Sequence, residues 1–508
     1  MPPHSVWNDV PDRPEFHSAP PAETGVCVIG AGIAGLSVAY ELARAGKQVV
    51  VVDARGVASG QTLQTTAHLA SELDDRFSSL ERMRGADAAR LAAEAHGAAI
   101  DFIERTAARE GIACDFARLD GYLVAAADED DKTLDEEADA ARRAGLEVER
   151  LPAVPHPGYR GGACLRFARQ GRFDPTKYLA GLTQAIIRLG GTVLADTRAE
   201  AVTDGDPVEV TLAGGRVIRA AAAVVATNSP VNDRVAIHTK QFPYTTYVVG
   251  LAVPAGGFPD ALVWDTLDPY HYVRPVPGAG PGGADVVIVG GEDHKTGQAD
   301  DGRERFDRLE AWARERLPAA GAVTYRWSGQ VFETTDGLAH IGRNPGDKNV
   351  YVSTGDSGMG MTHGTIAGML IPALIETGTH PWADLFDPGR RPAVRGLGEF
   401  AAENANVAAQ YTDWLTGSEV KAVEDIPPGS GAVVRVGLTK AAVHRDAAGT
   451  LHACSAVCPH LKAIVSWNDV AKTWDCPAHG SQFKGTGEVI GGPANANLTP
   501  METGAVKT

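Results

Sequence analysis

Val26-Cys27-Val28-Ile29-Gly30-Ala31-Gly32-Ile33-Ala34-Gly35, with Gln48-Val49-Val50-Val51-Val52-Asp53 shortly after it, decides the fold of the N-terminal body. A β-branched run ends in a glycine turn, residues 36–45 read as a helix, and a second apolar strand stops at Asp53. That strand–turn–helix–strand context turns a weak glycine pattern into a dinucleotide-binding fingerprint. Gly30 permits the tight turn, Gly32 lets the backbone approach a pyrophosphate, and Gly35 lets the helix pack on the strand. The first helical turn, at Ile33 and Ala34, offers unpaired N–H donors and a favourable dipole to the phosphates. Asp53 stands where a carboxylate accepts hydrogen bonds from ribose hydroxyls. A second match, Gly278-Ala279-Gly280-Pro281-Gly282-Gly283, has a proline where a helix should start and predicts a hairpin loop.

Outward from this unit, 508 residues imply about three folding units. A charged helix is predicted over Asp131–Arg143, an amphipathic one over 175–189, and strands over 208–212 and 222–226. Aromatic and β-branched runs between Pro/Gly turns predict an antiparallel sheet over 241–330. A strand at 350–353 leads through Gly355-Asp356-Ser357-Gly358-Met359-Gly360 into a helix over about 362–376. Prolines 381–392 end this body, a polar helix over 398–415 bridges, and short strands follow from Val420, so the boundary lies between 390 and 418.

Composition excludes several classes. Hydrophobic residues at 44% and charged ones at 22% are ordinary for a soluble globular chain. A net charge of −17 without a basic patch disfavours nucleic acid and anionic membrane as partners. The longest apolar run, 366–375, is too short for a membrane span and contains Pro372. The first 24 residues lack the apolar core of a signal peptide, so a cytoplasmic protein is expected. Six cysteines are too few for a disulfide scaffold, yet Cys454, Cys458 and Cys476 crowd into the C-terminal unit.

There, Cys458-Pro459-His460 is separated by fifteen residues from Cys476-Pro477-Ala478-His479. Two cysteines and two histidines also serve zinc, but zinc modules pair cysteine with cysteine and histidine with histidine. Here each half offers one thiolate and one imidazole. That spacing matches a Rieske [2Fe–2S] centre, one iron taking both cysteines and the other both histidines.

Residues 24–390 resemble the D-amino-acid oxidase and glycine oxidase superfamily of FAD enzymes. The resemblance is carried by 28–35, by Ser59-Gly60-Gln61-Thr62 with Thr65-Thr66-Ala67-His68, by Val224-Val225-Ala226-Thr227-Asn228, by Thr335-Asp336-Gly337-Leu338 and by Gly358-Met359-Gly360-Met361-Thr362-His363-Gly364. It implies an α/β fold: a Rossmann-type FAD-binding domain (about 25–75, 170–240 and 331–390) with an α+β substrate domain (about 76–169 and 241–330). An N-terminal arm, 1–24, precedes them. It also implies that the 59–69 loop and the 355–364 turn touch the cofactor, through Thr62, His68, Gly355, Gly358, Met361 and Thr362. Glycines in that turn would let a flat ring approach the backbone, and the next helix N-terminus would stabilise reduced flavin; a plain helix-capping turn would use similar glycines. Where some relatives tether the flavin to a histidine, this chain has Gln64, so non-covalent FAD is expected.

After a linker helix, 391–417, residues 418–508 are read as a small all-β domain that resembles the Rieske family. The resemblance implies Cys458 and Cys476 on one iron and His460 and His479 on the other, with Cys454 a packed small residue. The disulfide that clamps the loops in respiratory Rieske proteins is missing at both positions, Ala463 and Ala478, which leaves packing to hold them. Phe483 lacks the hydroxyl that would reach a ligand sulfur, while Ser481 keeps one. Fewer hydrogen bonds to sulfur imply a potential below the respiratory type.

Reduced FAD holds two electrons and a [2Fe–2S] centre takes one, so their fusion reads as a two-to-one electron converter. The resemblance implies hydride removal from the C–N carbon of a small amine or amino acid, and electrons leaving to a soluble one-electron carrier. A dehydrogenase is expected rather than an oxidase. On an alternating strand Tyr270, Tyr272 and Arg274 share a face, an aromatic slot with a carboxylate-binding guanidinium, and His271 faces away. Residues 244–247 and 292–295 are further candidates. Two alternatives stand: a reductase with reversed flow, and a redox sensor or electron-transfer module without a substrate. No mononuclear iron site for a Rieske oxygenase is evident.

Overall fold

Four consecutive valines, Val49–Val52, are all buried, as a central parallel strand covered on both faces requires. In the computed structural model, which describes residues 4–9, 19–126, 131–232 and 237–502, they pair in parallel with Glu23–Ile29, Val51 opposite Val28. The sheet runs His340–Arg343, Val350–Thr354, Val217–Val225, Glu23–Ile29, Val49–Val52, Thr192–Leu194, with Val208–Leu212 also on Val217–Val225 and Ala199–Thr203 on Val208–Leu212. Helix Ile33–Arg44 packs on helix Gly360–Thr377 with almost no space between them. A Cβ on Gly364 would stand 2.7 Å from Ile33, and one on Gly368 would stand 2.5 Å from Ser37. This approach brings two helix N-termini to one place.

The second large sheet is mixed, in the order Val323–Thr334, Gln241–Val253, Asp285–Lys295, His271–Val276, Ala261–Asp265, Ala117–Val124, Cys164–Arg172, His68–Leu69. It is antiparallel through 241–330 as expected, and Ala261–Asp265 then pairs in parallel with Ala117–Val124. Its strands cross the divisions expected near 75, 169 and 330, because the hydrogen-bonded ladder continues from one unit into the other. The loop 277–284 joins two antiparallel neighbours.

The linker is a helix, Leu397–Ala409, that tightens into a 3-10 turn, Gln410–Leu415. Beyond it lie a three-stranded sheet (Ser430–Val436, Thr439–Arg445, Leu451–Ser455) and a four-stranded one (Ser466–Asn468, Thr473–Asp475, Gln482–Lys484, Val489–Gly491). Cys454 is buried in their core, packed against Gly487. The expected arm is no loose tail where it is described. Trp7 is 2% exposed and donates its indole N–H to Thr65 O at 2.6 Å, pinning the 59–69 loop. Residues 1–3 and 10–18 of the arm, and 503–508 at the other end, lie outside the described residues.

Asp336, within a stretch the resemblance assigned to the flavin, turns away from the ring site. Its carboxylate takes Arg390 at 2.8 Å and Arg84 at 2.6 Å. Burial alone would raise this carboxyl; Arg390 first and Arg84 next overcome that and hold it well below its ordinary 3.8. A depressed carboxyl stabilises the fold above its unfolded value, and the contribution disappears as pH falls from there through the folded value. Asp336→Asn should cost about 3–5 kcal/mol, read as a lower thermal midpoint at pH 7 whose gap to the parent narrows below pH 4.

Candidate flavin and iron–sulfur sites

The two helix N-termini open into a cavity of about 580 Å³ between the large sheets. Gly30, Gly32, Ile33, Ala34, Asp53, Thr62, His68, Gly358, Met361, Tyr270 and Tyr272 all line it. Neither helix has a side-chain cap, so their first N–H groups are left for a bound group. Gly30 has φ +109, and a Cβ there would stand 2.3 Å from Ala226 O, so only glycine fits the turn. The Asp53 carboxylate is held by the N–H groups of Ala31, Arg55 and Gly56 at 2.8–2.9 Å. Thr62 sets its hydroxyl at the helix start, 3.4 Å from Ile33 N.

Gly35, Gly355, Thr362 and Arg274 stand behind this wall. A Cβ on Gly35 would strike Gly30 O at 1.9 Å, so its role is helix–strand packing. Gly355 backs onto Thr334 and Gln241. The Thr362 hydroxyl donates to Met359 O and meets His96 Nδ1 at 2.8 Å. Arg274 is the main correction. It is 2% exposed and donates to Ala67 O and Phe173 O, with its guanidinium over the Trp7 ring. A buried guanidinium needs acceptors, and these carbonyls supply them; nothing of it is left for a substrate carboxylate.

His68 is kept neutral, its pKa pushed down to about 3 by burial first and by Arg274 next. Its Nε2 faces Val273 O at 3.3 Å, which only accepts, so the proton sits there and Nδ1 faces Thr66 Oγ1. Tyr272 lies edge-on to His68 and flat over Gly290, its hydroxyl 2.7 Å from Thr246 Oγ1. Tyr270 donates to Asp74 at 3.4 Å. His271 faces away as expected, against Asp265 and Trp312. Of the other candidates, Tyr247 meets His294 at 2.9 Å and Lys295 meets Glu403 at 2.7 Å, away from this cavity.

At the C-terminal unit the thiols of Cys458 and Cys476 lie close enough to act on one another. The rings of His460 and His479 lie 5.1 Å apart, perpendicular. The two cysteines are buried, as is His479, whose Nδ1 finds no hydrogen-bond partner. Among the described residues no three metal-binding side chains converge on one ion. A thiol pair beside an imidazole pair suits a two-iron unit better than a single zinc.

The loops are not left to packing alone. Tyr411 and Trp414 of the linker donate to Leu461 O (2.8 Å) and Lys462 O (2.9 Å). Gln298, in the turn after strand Asp285–Lys295, and Gln330, in strand Val323–Thr334, donate to Pro477 O (3.1 Å) and Gly480 O (3.0 Å). Gln330 also lines the flavin-side cavity, where its N–H donates to Gln61 Oε1. His238 stands 5.0 Å from the His460 ring and 6.1 Å from the His479 ring. Nothing local in the sequence marks Gln330 or His238; only the docking of the two units gives them a place.

A dinucleotide cavity and a thiol–imidazole pair of this kind define a flavin oxidoreductase with an iron–sulfur module. The chain belongs to the FAD dependent oxidoreductase family, whose model matches residues 25–374, and carries a Rieske [2Fe-2S] domain matched over 417–502. It is 30% identical to YhfW of Bacillus subtilis, named as a Rieske 2Fe-2S iron-sulfur protein, over 98% of both chains. It is 27% identical to the gamma-glutamylputrescine oxidoreductase of Escherichia coli, over 69% of this chain and 83% of that one. Glycine oxidase from Geobacillus kaustophilus superposes with a TM-score of 0.62 at 18% identity, over 73% of this chain and all of that one, a likeness of fold. The N-terminal body therefore binds FAD and the C-terminal domain a [2Fe–2S] cluster. No helix among the described residues is long and apolar enough to cross a membrane.

Cys476→Ser should remove the iron and its visible absorbance while FAD stays bound, as iron assay and flavin absorbance would read. In the parent, Ser481 accepts Ala494 N–H at 3.1 Å and also reaches Cys458. The cluster potential should lie below the respiratory type, and Phe483→Tyr should raise it in protein-film voltammetry.

Proposed function

We propose that this protein dehydrogenates the C–N bond of a small amine or amino acid and passes the electrons singly through its cluster to an external one-electron carrier. When bound, FAD supplies the hydride acceptor and the cluster a one-electron carrier; the substrate nitrogen gives up its proton and water cleaves the resulting imine. Within this reading Gly30, Gly32, Ile33 and Ala34 hold the pyrophosphate, Asp53 the ribose, and Thr62, His68, Gly358 and Met361 the rest of the flavin. Cys458 and Cys476 hold one iron and His460 and His479 the other. Tyr270 and Tyr272 flank the substrate.

One observation carries the reading. Gln330 lines the flavin cavity and also hydrogen-bonds Gly480, the neighbour of His479. That joins the two sites by a short path of covalent and hydrogen bonds within one chain. The relatives add support, since a gamma-glutamylputrescine oxidoreductase and a glycine oxidase both bear names of C–N compounds. The Rieske domain also closes part of the dinucleotide cavity, through Val489, Ile490 and Gly491, and Arg198 donates to Val489 O at 3.1 Å.

Anaerobic titration with amines and amino acids, followed by absorbance and low-temperature EPR, tests it. Flavin bleaching together with the Rieske signal is expected. A signal with dithionite but with none of these substrates would favour the reductase reading instead. Gln330→Leu should slow cluster reduction more than flavin reduction in stopped flow.

A further inference from the structure

Resting on the amine-oxidising reading, the cavity also carries information about which amine. Its substrate end is acidic. Asp74 and Asp75 open onto it, Asp74 against Tyr270 and so close to the 355–360 turn that a Cβ on Gly358 would stand 1.9 Å from its Oδ2. Asp356, in that same turn, lays its carboxylate over Gly360. Asp293 acts on both tyrosines from behind Thr246.

A cluster of acids is often only a solvated patch, and a second observation separates this one. Glu72 lines the cavity, is 2% exposed, and its Oε1 has no hydrogen-bond partner. The indole N–H of Trp264, on the same wall, is turned to the Glu72 carboxyl without closing a hydrogen bond to it. A buried carboxylate oxygen without a donor is costly unless a ligand supplies one. Arg76 is the cation acting on Glu72 and Asp75, and none acts on Asp74 or Asp356 among the described residues. Desolvation in the enclosing cavity wall and mutual repulsion push these acids up, Asp74 to about 7 and Asp356, by desolvation, to about 6.

An α-amino acid needs a guanidinium or ammonium group for its carboxylate. Arg274, the one offered by the strand pattern, is spent on backbone carbonyls, and of the guanidiniums lining this end Arg76 faces Glu72 and Asp75 while Arg82 donates to Ser79 Oγ. We infer that the substrate is a diamine or polyamine: one nitrogen lies at the reacting carbon, a second, cationic nitrogen is held by Asp74 and Glu72, and the alkyl chain runs past Tyr270 and Tyr272.

The holoenzyme tests this in two ways. In anaerobic stopped flow, 1,4-diaminobutane should bleach the flavin with a second-order rate constant roughly tenfold or more above 1-aminobutane, glycine or L-proline, the scale of a charged hydrogen bond. Asp74→Asn and Glu72→Gln, checked for FAD content and thermal midpoint, should shrink the ratio of 1,4-diaminobutane to 1-aminobutane. Faster bleaching by glycine or L-proline would overturn the inference and leave the amine-oxidising reading intact. If no compound bleaches the flavin, that reading falls, and the oxidised flavin spectrum still reports binding. Tighter binding of 1,4-diaminobutane than of glycine would then sustain the cationic site, and equal or weaker binding would overturn it.

Discussion

The architecture depends on the absence of side chains where helix Ile33–Arg44 meets helix Gly360–Thr377. Gly364 and Gly368 admit Ile33, Ala34 and Ser37 to distances no Cβ would allow. The segments come from opposite ends of the flavin-binding body, yet their N-termini become neighbours. Each leaves its first amide groups without a side-chain cap, and both open on one cavity. A dinucleotide with a negatively charged middle and a ring that gains negative charge on reduction needs donors at two points, and this packing provides both.

The Rossmann unit and the paired Cys/His loops were legible because their chemistry is contiguous: the spacing of glycines or of ligands in the chain is itself the geometry. The substrate side was not. Tyr270, Tyr272 and Arg274 share a face by strand alternation, but alternation says nothing of depth. Trp7, far away in sequence, and the 59–69 loop cover Arg274 and give its guanidinium other work. Glu72 and Asp74 were missed for a related reason. They sit in an irregular stretch, residues 70–76, with no periodicity to assign them a side, and only the folded chain sets them along the cavity. Gln330 and His238 owe their places to docking between units, which no local pattern encodes.

A Rieske domain without the loop disulfide has to find rigidity elsewhere. Here the supports come from outside the domain: two from the linker, one from the large sheet and one from the turn that follows its strand Asp285–Lys295. Gly480 is part of that arrangement. It has φ +74, and any Cβ would press on Pro243 and Gln330. The cluster loop and the docking surface are therefore one element, so a change that loosens the seat also loosens the metal-binding loop.

The position of His238 has a separate consequence. It lies over the rings of both His460 and His479, and it belongs to the flavin-binding body. His479 is buried beside this contact, while His460 keeps part of its ring at the surface. Any shift between the two units therefore alters the surroundings of these two rings first.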